Sequence, residues 1–390
     1  MPTTVYFASR ARGFFLQLFN SEQVDARFIY NKNQVYETNT KLASLKNRLG
    51  RSALFDHLGV IQTIKCIGKD CDIYGSFNRF LRTDKPYFIY VENPAALYHY
   101  KLNRAKTFFG KRKLDKLFSD PNLRGLIFMS NACKSTFENV CHSIPSTCFN
   151  ETIYPYIPLN SLVSESFING KSCDSTLRLL YIAQGIRFLS KGALEVVEMF
   201  KRLKNENYNI ELHIITSFKE VSPDILDSIR SIDGITLDDF RFNFNEMQHI
   251  YSKAHIFLQP TSDDSCSLTI LEALKSGLPI IASRLYSIPE IVEDGKNGFL
   301  CDPHYWFFDR NNVPNPEVWN RRKQTIYSGK MSYEIVDFLC EKVKALYENR
   351  NLLADLSVNS LHKANSEPFS TEFIATQWNK MITEIANHNV

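Results

Sequence analysis

Short apolar runs alternate with helical periodicity through the second half of the chain. Residues 177–183 (LRLLYIA), 210–216 (IELHIIT), 254–259 (AHIFLQ) and 278–282 (LPIIA) read as buried parallel strands. Between them, residues 192–205 repeat apolar Ala193, Val196, Val197, Phe200 and Leu203 at helical spacing. Asn245, with Gln248 three residues on, predicts the start of a second helix. Residues 267–276 (SLTILEALKS) predict a third, with Ser267 as N-cap and Gly277 past its end. This alternation argues for a parallel sheet covered by helices on both faces.

The first half is less regular. Residues 4–8, 26–30, 87–91 and 126–130 predict strands, and a helix follows from Ala132. Residues 161–175 are polar and aperiodic, and read as a linker. The tail, 368–387, spaces Phe369, Phe373, Trp378, Met381 and Ile385 along an amphipathic helix that must dock to hide the indole. The expected organisation is a domain over 1–165, a second over 176–365 and a closing helix over 366–390.

Composition narrows the class. The 390 residues are 44% hydrophobic and 23% charged, which excludes disorder and collagen-like structure. Residues 1–170 hold 22 Lys+Arg against 13 Asp+Glu, and residues 171–390 the remaining 24 against 29. A basic half beside an acidic half implies two domains with different partners. Nine scattered cysteines show no CxxC pair and no zinc spacing, so reduced thiols in a cytoplasmic protein are expected. No apolar run is long enough to span a bilayer, and Arg10 and Arg12 interrupt any signal-peptide stretch. A cytoplasmic protein, either soluble or peripheral on the inner face of the cell membrane, is the expectation.

Two constellations carry candidate chemistry. Gly185-Ile186-Arg187-Phe188-Leu189-Ser190-Lys191-Gly192 joins a predicted strand to a helix. In open α/β sheets, ligands sit beyond the carboxyl ends of the strands, where helix N-termini favour phosphate. Alone, Lys191 reads more plainly as a solvated loop lysine. Asp264 and Glu272 are spaced eight residues apart across the next strand–loop–helix junction. Glu272 sits among Leu268, Ile270, Leu271, Ala273 and Leu274, on a helix apolar enough to be buried. It is either a carboxylate at the helix edge or one that accepts hydrogen bonds from ligand hydroxyls.

Taken in order, Gly185 to Lys191-Gly192, Asp264-x7-Glu272-Ala273-Leu274-Lys275-Ser276-Gly277-Leu278-Pro279, Ile288-Pro289-Glu290 and Asn297-Gly298-Phe299 resemble family 4 glycosyltransferases. The series covers about residues 177–302, with a weaker likeness at Ile127 to Asn131 and Lys134 and at Phe369 to Glu372. The resemblance implies the α/β GT-B fold, two Rossmann-like domains with parallel sheets facing across a cleft. It implies a retaining transferase that takes a nucleotide-diphosphate sugar as substrate, with no cofactor and no metal. Lys191 would contact the diphosphate, Glu272 the ribose hydroxyls and Asp264 the donor sugar. Gly13, Gly185, Arg187, Phe242, Asn243 and the amides of Ser267, Leu268 and Thr269 would complete the donor side. On the acceptor side, Glu92 stands where the family often has His, with His99 nearby in sequence.

Three departures stand out. Ile186 replaces the family's Arg after the loop glycine, Asp264 replaces Glu, and the glycine-rich turn near the N-terminus is reduced to Gly13. They keep alive a catalytically silent nucleotide- or partner-binding protein, and a sugar-nucleotide epimerase is a further alternative. The absence of a GxGxxG after any strand argues against a dehydrogenase. Asp70-Cys71-Asp72 has the DxD spacing of metal-binding transferases of another fold, but a strand start explains it as well. Residues 97–116 (LYHYKLNRAKTFFGKRKLDK) interleave seven basic residues from 101 onward with aromatics. An anionic membrane surface and a solvated basic helix fit this stretch about equally. Nucleic acid ranks below both, so the expected partners are a nucleotide sugar and a glycan or lipid-linked acceptor, with no nucleic acid.

Overall fold

The computed structural model of the chain describes residues 2–31, 53–140 and 148–387. They divide into two compact units. One comprises Met1–Tyr156, Asn311–Val313 and Thr371–Val390, and the other Ile157–Arg310 and Pro314–Ser370.

The first unit contains β1 (Thr3–Phe7), β2 (Ala26–Tyr30), β3 (Thr63–Lys65), β4 (Ile73–Phe77), β5 (Phe80–Arg82), β6 (Tyr87–Val91), β7 (Leu123–Phe128) and β8 (Phe149–Thr152). Among the described residues, six of these form a parallel sheet in the order β2-β1-β4-β6-β7-β8, and β3 pairs with β5. Every residue of β4 and β6 is buried, as both-faces-covered parallel strands require. Strand β4 (IYGSF) escapes the sequence reading because Gly75 and Ser76 break its apolar run. The Phe88 ring fills the space above Gly75, so a Cβ there would sit 2.4 Å from it. The helix Thr371–Asn387 joins this unit, with Trp378 fully buried and stacked on Tyr90 at 5.6 Å between ring centroids.

The second unit contains β9 (Leu177–Ile182), β10 (Ile210–Thr216), β11 (Ile235–Asp239), β12 (Ile256–Gln259), β13 (Ile280–Ser283) and β14 (Gly298–Cys301). They form a parallel sheet in the order β11-β10-β9-β12-β13-β14. The chain winds outward from β9 one way, then returns to β12 and winds out the other. That reversal is the topological switch point of a doubly wound sheet, where the flanking loops diverge and leave room for a ligand. Helices Ala193–Asn205 and Tyr333–Glu348 bury Phe200, Leu203, Leu339 and Val343 in one apolar core against Leu179 and Leu212 of the sheet.

Two local expectations are corrected. The stretch 161–175 is not an extended linker: it carries a helix, Glu165–Ser172, capped by the Ser164 side chain, with Ile168 buried. Its polar outer face hid the single apolar anchor. The helix expected from Asn245 is instead capped at Asn243, which forms a reciprocal capping box with Glu246. Both frames satisfy the N-x-x-E/Q pattern. Gln248 is engaged elsewhere, its backbone carbonyl accepting from Asn160 Nδ2 at 2.8 Å.

Candidate donor site at the switch point of the second sheet

The loops after β9 and β12 flank the reversal. After β9, a short turn at Gly185–Arg187 leads to Gly192, which starts the next helix at φ +83. A Cβ on Gly192 would lie 2.4 Å from the Pro260 carbonyl oxygen, and one on Gly185 2.4 Å from that of Ser217. Both glycines are required for close backbone approach. The Ser262 amide donates to the Ser190 carbonyl at 2.8 Å, which stitches the two loops together.

This stitching carries Lys191 inward. It is only 9% exposed, so the solvated-lysine reading fails. Its ammonium pairs with Asp264 Oδ2. The same oxygen accepts from Gln259 Nε2 at 3.1 Å, and Asp264 Oδ1 accepts from the Ser265 amide at 3.0 Å. Gln259, buried at the last position of β12, also accepts from Ser267 Oγ at 2.9 Å and Thr269 Oγ1 at 2.8 Å. An interior amide with these partners is satisfied on both its oxygen and its nitrogen.

Ser267 therefore occupies the N-cap position of helix Leu268–Lys275 without capping it; its hydroxyl faces Gln259 instead. The amides of Ser267, Leu268 and Thr269 open a helix end that no side chain closes. Such an end, beside Lys191, suits an anion.

One turn further on, Glu272 shares the face of Thr269. Both line a cavity of about 200 Å³. Its walls are apolar at Ile182, Phe240, Phe242, Phe244 and Met247, with Thr269, Glu272 and Lys275 among its polar residues. The Tyr251 hydroxyl donates to Glu272 Oε2 at 2.7 Å. Burial still pushes the Glu272 carboxyl up to about 7, against the opposing effect of that hydrogen bond. Glu272 is half-buried and lines the cavity. Chemically, the hollow offers flat apolar walls to an aromatic ring and a carboxylate to hydroxyls.

Lys191 and Asp264 are thus linked through Gln259 to Ser267 and Thr269 at the helix start, and Thr269 lines the same cavity as Glu272. Phe242 lines the cavity, and Asn243 lines it while capping its helix. Arg187 lies 3.8 Å from Asp263. The sequence reading missed Gln259, Tyr251 and Asp263. The first had a signal: a lone amide ends the apolar run AHIFLQ.

The remaining candidates belong to the first unit. Glu92, just past β6, is bonded reciprocally to Asn78: its amide donates at 2.9 Å and its Oε2 accepts at 3.3 Å. Arg12 approaches it at 3.3 Å. Gly13 begins helix Gly13–Phe19, and a Cβ there would meet nothing within 4 Å. His99 accepts from the Gln62 amide at 2.8 Å through Nε2, and burial lowers its pKa to about 4. Its lone pair already serves the fold. Asp72 accepts from the Thr4 amide at 2.7 Å, which accounts for the second acid of the DxD triplet at a strand edge.

The two doubly wound units define the class as α/β, of the GT-B type. Residues 177–306 match the family model described as glycosyl transferases group 1. The sulfoquinovosyl transferase SQD2 of Arabidopsis thaliana is 37% identical over 62 residues, covering 15% of this chain and 12% of that protein. A sucrose synthase of Nitrosomonas europaea is 36% identical over 86 residues, covering 20% and 11%. The chain thus matches about a tenth of the length of these curated relatives. The solved structure of Anabaena Alr3699/HepE with UDP-glucose aligns at a TM-score of 0.59 and 12% identity, over 99% of this chain and 100% of that one.

Proposed function

We propose that the chain is a retaining glycosyltransferase of the family 4 kind. It moves a sugar from a nucleotide-diphosphate sugar to a glycan or lipid-linked acceptor in surface-polysaccharide synthesis. One observation carries the reading: a cationic, amide-lined helix start and a carboxylate-bearing apolar cavity lie on one helix at a switch point, with Thr269 common to both. UDP-glucose in the structurally similar HepE supports a uridine nucleotide as first donor to try.

In this reading the base enters between Phe242 and the cavity's other apolar walls, and Glu272 accepts from the ribose hydroxyls. Lys191, Arg187 and the amides at Ser267, Leu268 and Thr269 hold the diphosphate. Breaking the sugar–phosphate bond places negative charge on the leaving phosphate, and fixed donors stabilise it without reorganising. No metal is invoked in that step. Asp264, oriented by Lys191 and Gln259, faces the sugar. The acceptor hydroxyl attacks on the face the phosphate leaves, so configuration is retained. Glu92 and the first unit serve the acceptor.

The acceptor side is also proposed to meet an anionic bilayer, through a narrower face than 97–116. Leu97, Tyr98 and Arg104 are buried, and Arg104 and Lys101 pair with Asp56 at 2.6 and 3.6 Å. Helix Phe108–Phe118 presents Phe108 and Phe109, 71% and 49% exposed, beside Lys111, Arg112 and Lys116. Each basic residue near such a surface contributes about 1 kcal/mol. No helix among the described residues is long and apolar enough to cross a membrane. Co-sedimentation with phosphatidylglycerol vesicles, but not with phosphatidylcholine alone, is the expected result.

Incubation with labelled UDP-, GDP- and ADP-sugars plus lipid acceptors is expected to give transfer or slow donor hydrolysis. A second reading, a silent nucleotide-binding protein, is favoured by the engagement of Lys191 with Asp264. Nucleotide binding without turnover across the whole panel would select it.

A further inference from the structure

The loops after β9 and β12 form two ion pairs side by side. Lys191 meets Asp264, and Arg187 meets Asp263. The second pair is unlike the first. The Asp263 side chain is only 4% exposed, yet Arg187 Nη1 is 3.8 Å away, Ser190 Oγ 3.4 Å and Tyr327 Oη 3.3 Å. These contacts are all long for hydrogen bonds. A buried carboxylate held this loosely destabilises the fold unless it does something else there.

Tyr327 comes from the segment after β14. That segment is itself anchored to the site's loops and helix: the Tyr305 amide donates to Ser262 Oγ and the Ser332 amide to Glu195 Oε1, each at 3.0 Å. Asp263 therefore sits with Tyr327 and Ser190 behind it and the 39%-exposed Arg187 guanidinium before it. The arginine is also the one displaced by a residue, with Ile186 in the position after the loop glycine.

We propose that Asp263, braced by Tyr327, is a positioning residue for Arg187. It draws the displaced guanidinium back beside the Lys191–Asp264 pair, where Arg187 adds to the grip on a nucleoside diphosphate. The inference rests on the donor-site reading given above. It makes a prediction whose sign is informative. Removing a negative charge near a bound diphosphate tightens binding by Coulomb's law. Losing the positioning of Arg187 weakens it.

The test is a double-mutant cycle read by calorimetry with UDP. Asp263→Asn is expected to weaken UDP binding about tenfold in the wild-type background and less than twofold in the Arg187→Ala background, a coupling of the size seen for contacting residues. Tyr327→Phe is expected to weaken it about threefold with the same background dependence, and it carries the cycle where Asp263→Asn fails to fold. Arg187→Lys is not expected to restore the wild-type value, because an ammonium lacks the planar fork. Tighter or unchanged binding in Asp263→Asn, or an equal loss in both backgrounds, overturns the inference and leaves the donor site standing. Failure of the wild-type protein to bind UDP, GDP or ADP overturns both.

Discussion

The carboxyl ends of the two sheets carry the same kinds of groups in different physical states. In the second unit, the Lys191 and Asp264 side chains are 11% and 7% exposed and are fixed from several sides. In the first unit, Glu92 is as deeply placed, but its partner Arg12 is 42% exposed and rests on the Phe77 ring at 4.8 Å. A dry, interlocked site is preorganised for one invariant chemical group, as the proposed diphosphate is. A site with a long half-exposed cation adapts to varied groups, as the proposed acceptors are.

The comparison breaks most visibly on charge removal. Lys191→Ala leaves Asp264 buried without its cation, and is expected to lower unfolding stability by about 3 kcal/mol in chemical denaturation. Arg12→Ala, the counterpart in the first unit, is expected to cost less than about 1 kcal/mol, because its charge is screened. Equal losses would erase the distinction.

Glu272→Gln is expected to weaken UDP binding by about tenfold, the value of a hydrogen bond to a charged acceptor. A pH series sharpens this. The folded pKa of Glu272 is about 7, raised from an ordinary carboxylate value. The folded state therefore retains the proton longer than the unfolded chain does. Its contribution to stability is full at low pH and is lost as pH rises from about 4.5 to about 7. In the proposed reading the ionised form accepts the ribose hydroxyls, so UDP affinity relative to Glu272→Gln is expected to rise from pH 6 to pH 8. A constant ratio would separate the carboxylate from the nucleotide.

A smaller loss of UDP binding is expected for Tyr251→Phe. Deleting the hydroxyl removes a hydrogen bond that favours the ionised Glu272, which raises its pKa further and weakens UDP binding at pH 7 by about threefold. The loss is expected to shrink at pH 9. A loss independent of pH would assign Tyr251 to packing alone.

The sequence showed four strands of the second sheet, β9, β10, β12 and β13, because they are short, mostly apolar runs, and did not show β11 and β14; Asp264 and Glu272 stood out by their spacing of eight residues, and Lys191 through the resemblance to family 4 glycosyltransferases. It did not show Gln259 as the link between Asp264 and the start of the next helix. That role depends on the parallel pairing of β12 with β9 and on where two loops meet. Asn243 was displaced by an equally good capping pattern two residues on. Strand β4 was hidden by Gly75, whose absent side chain is filled by Phe88 of the paired strand β6. Arg104 read as one of a surface series, yet it lies 1% exposed against Asp56, 48 residues away. Local periodicity reports which face is apolar; it does not report which polar groups meet.

The most direct measurement is a crystal structure of the protein with UDP bound. The account predicts the ribose hydroxyls on Glu272, the base against Phe242, and the diphosphate at the start of helix Leu268–Lys275 within reach of Lys191. A nucleotide seated elsewhere, with the Glu272 cavity left to solvent, would contradict it.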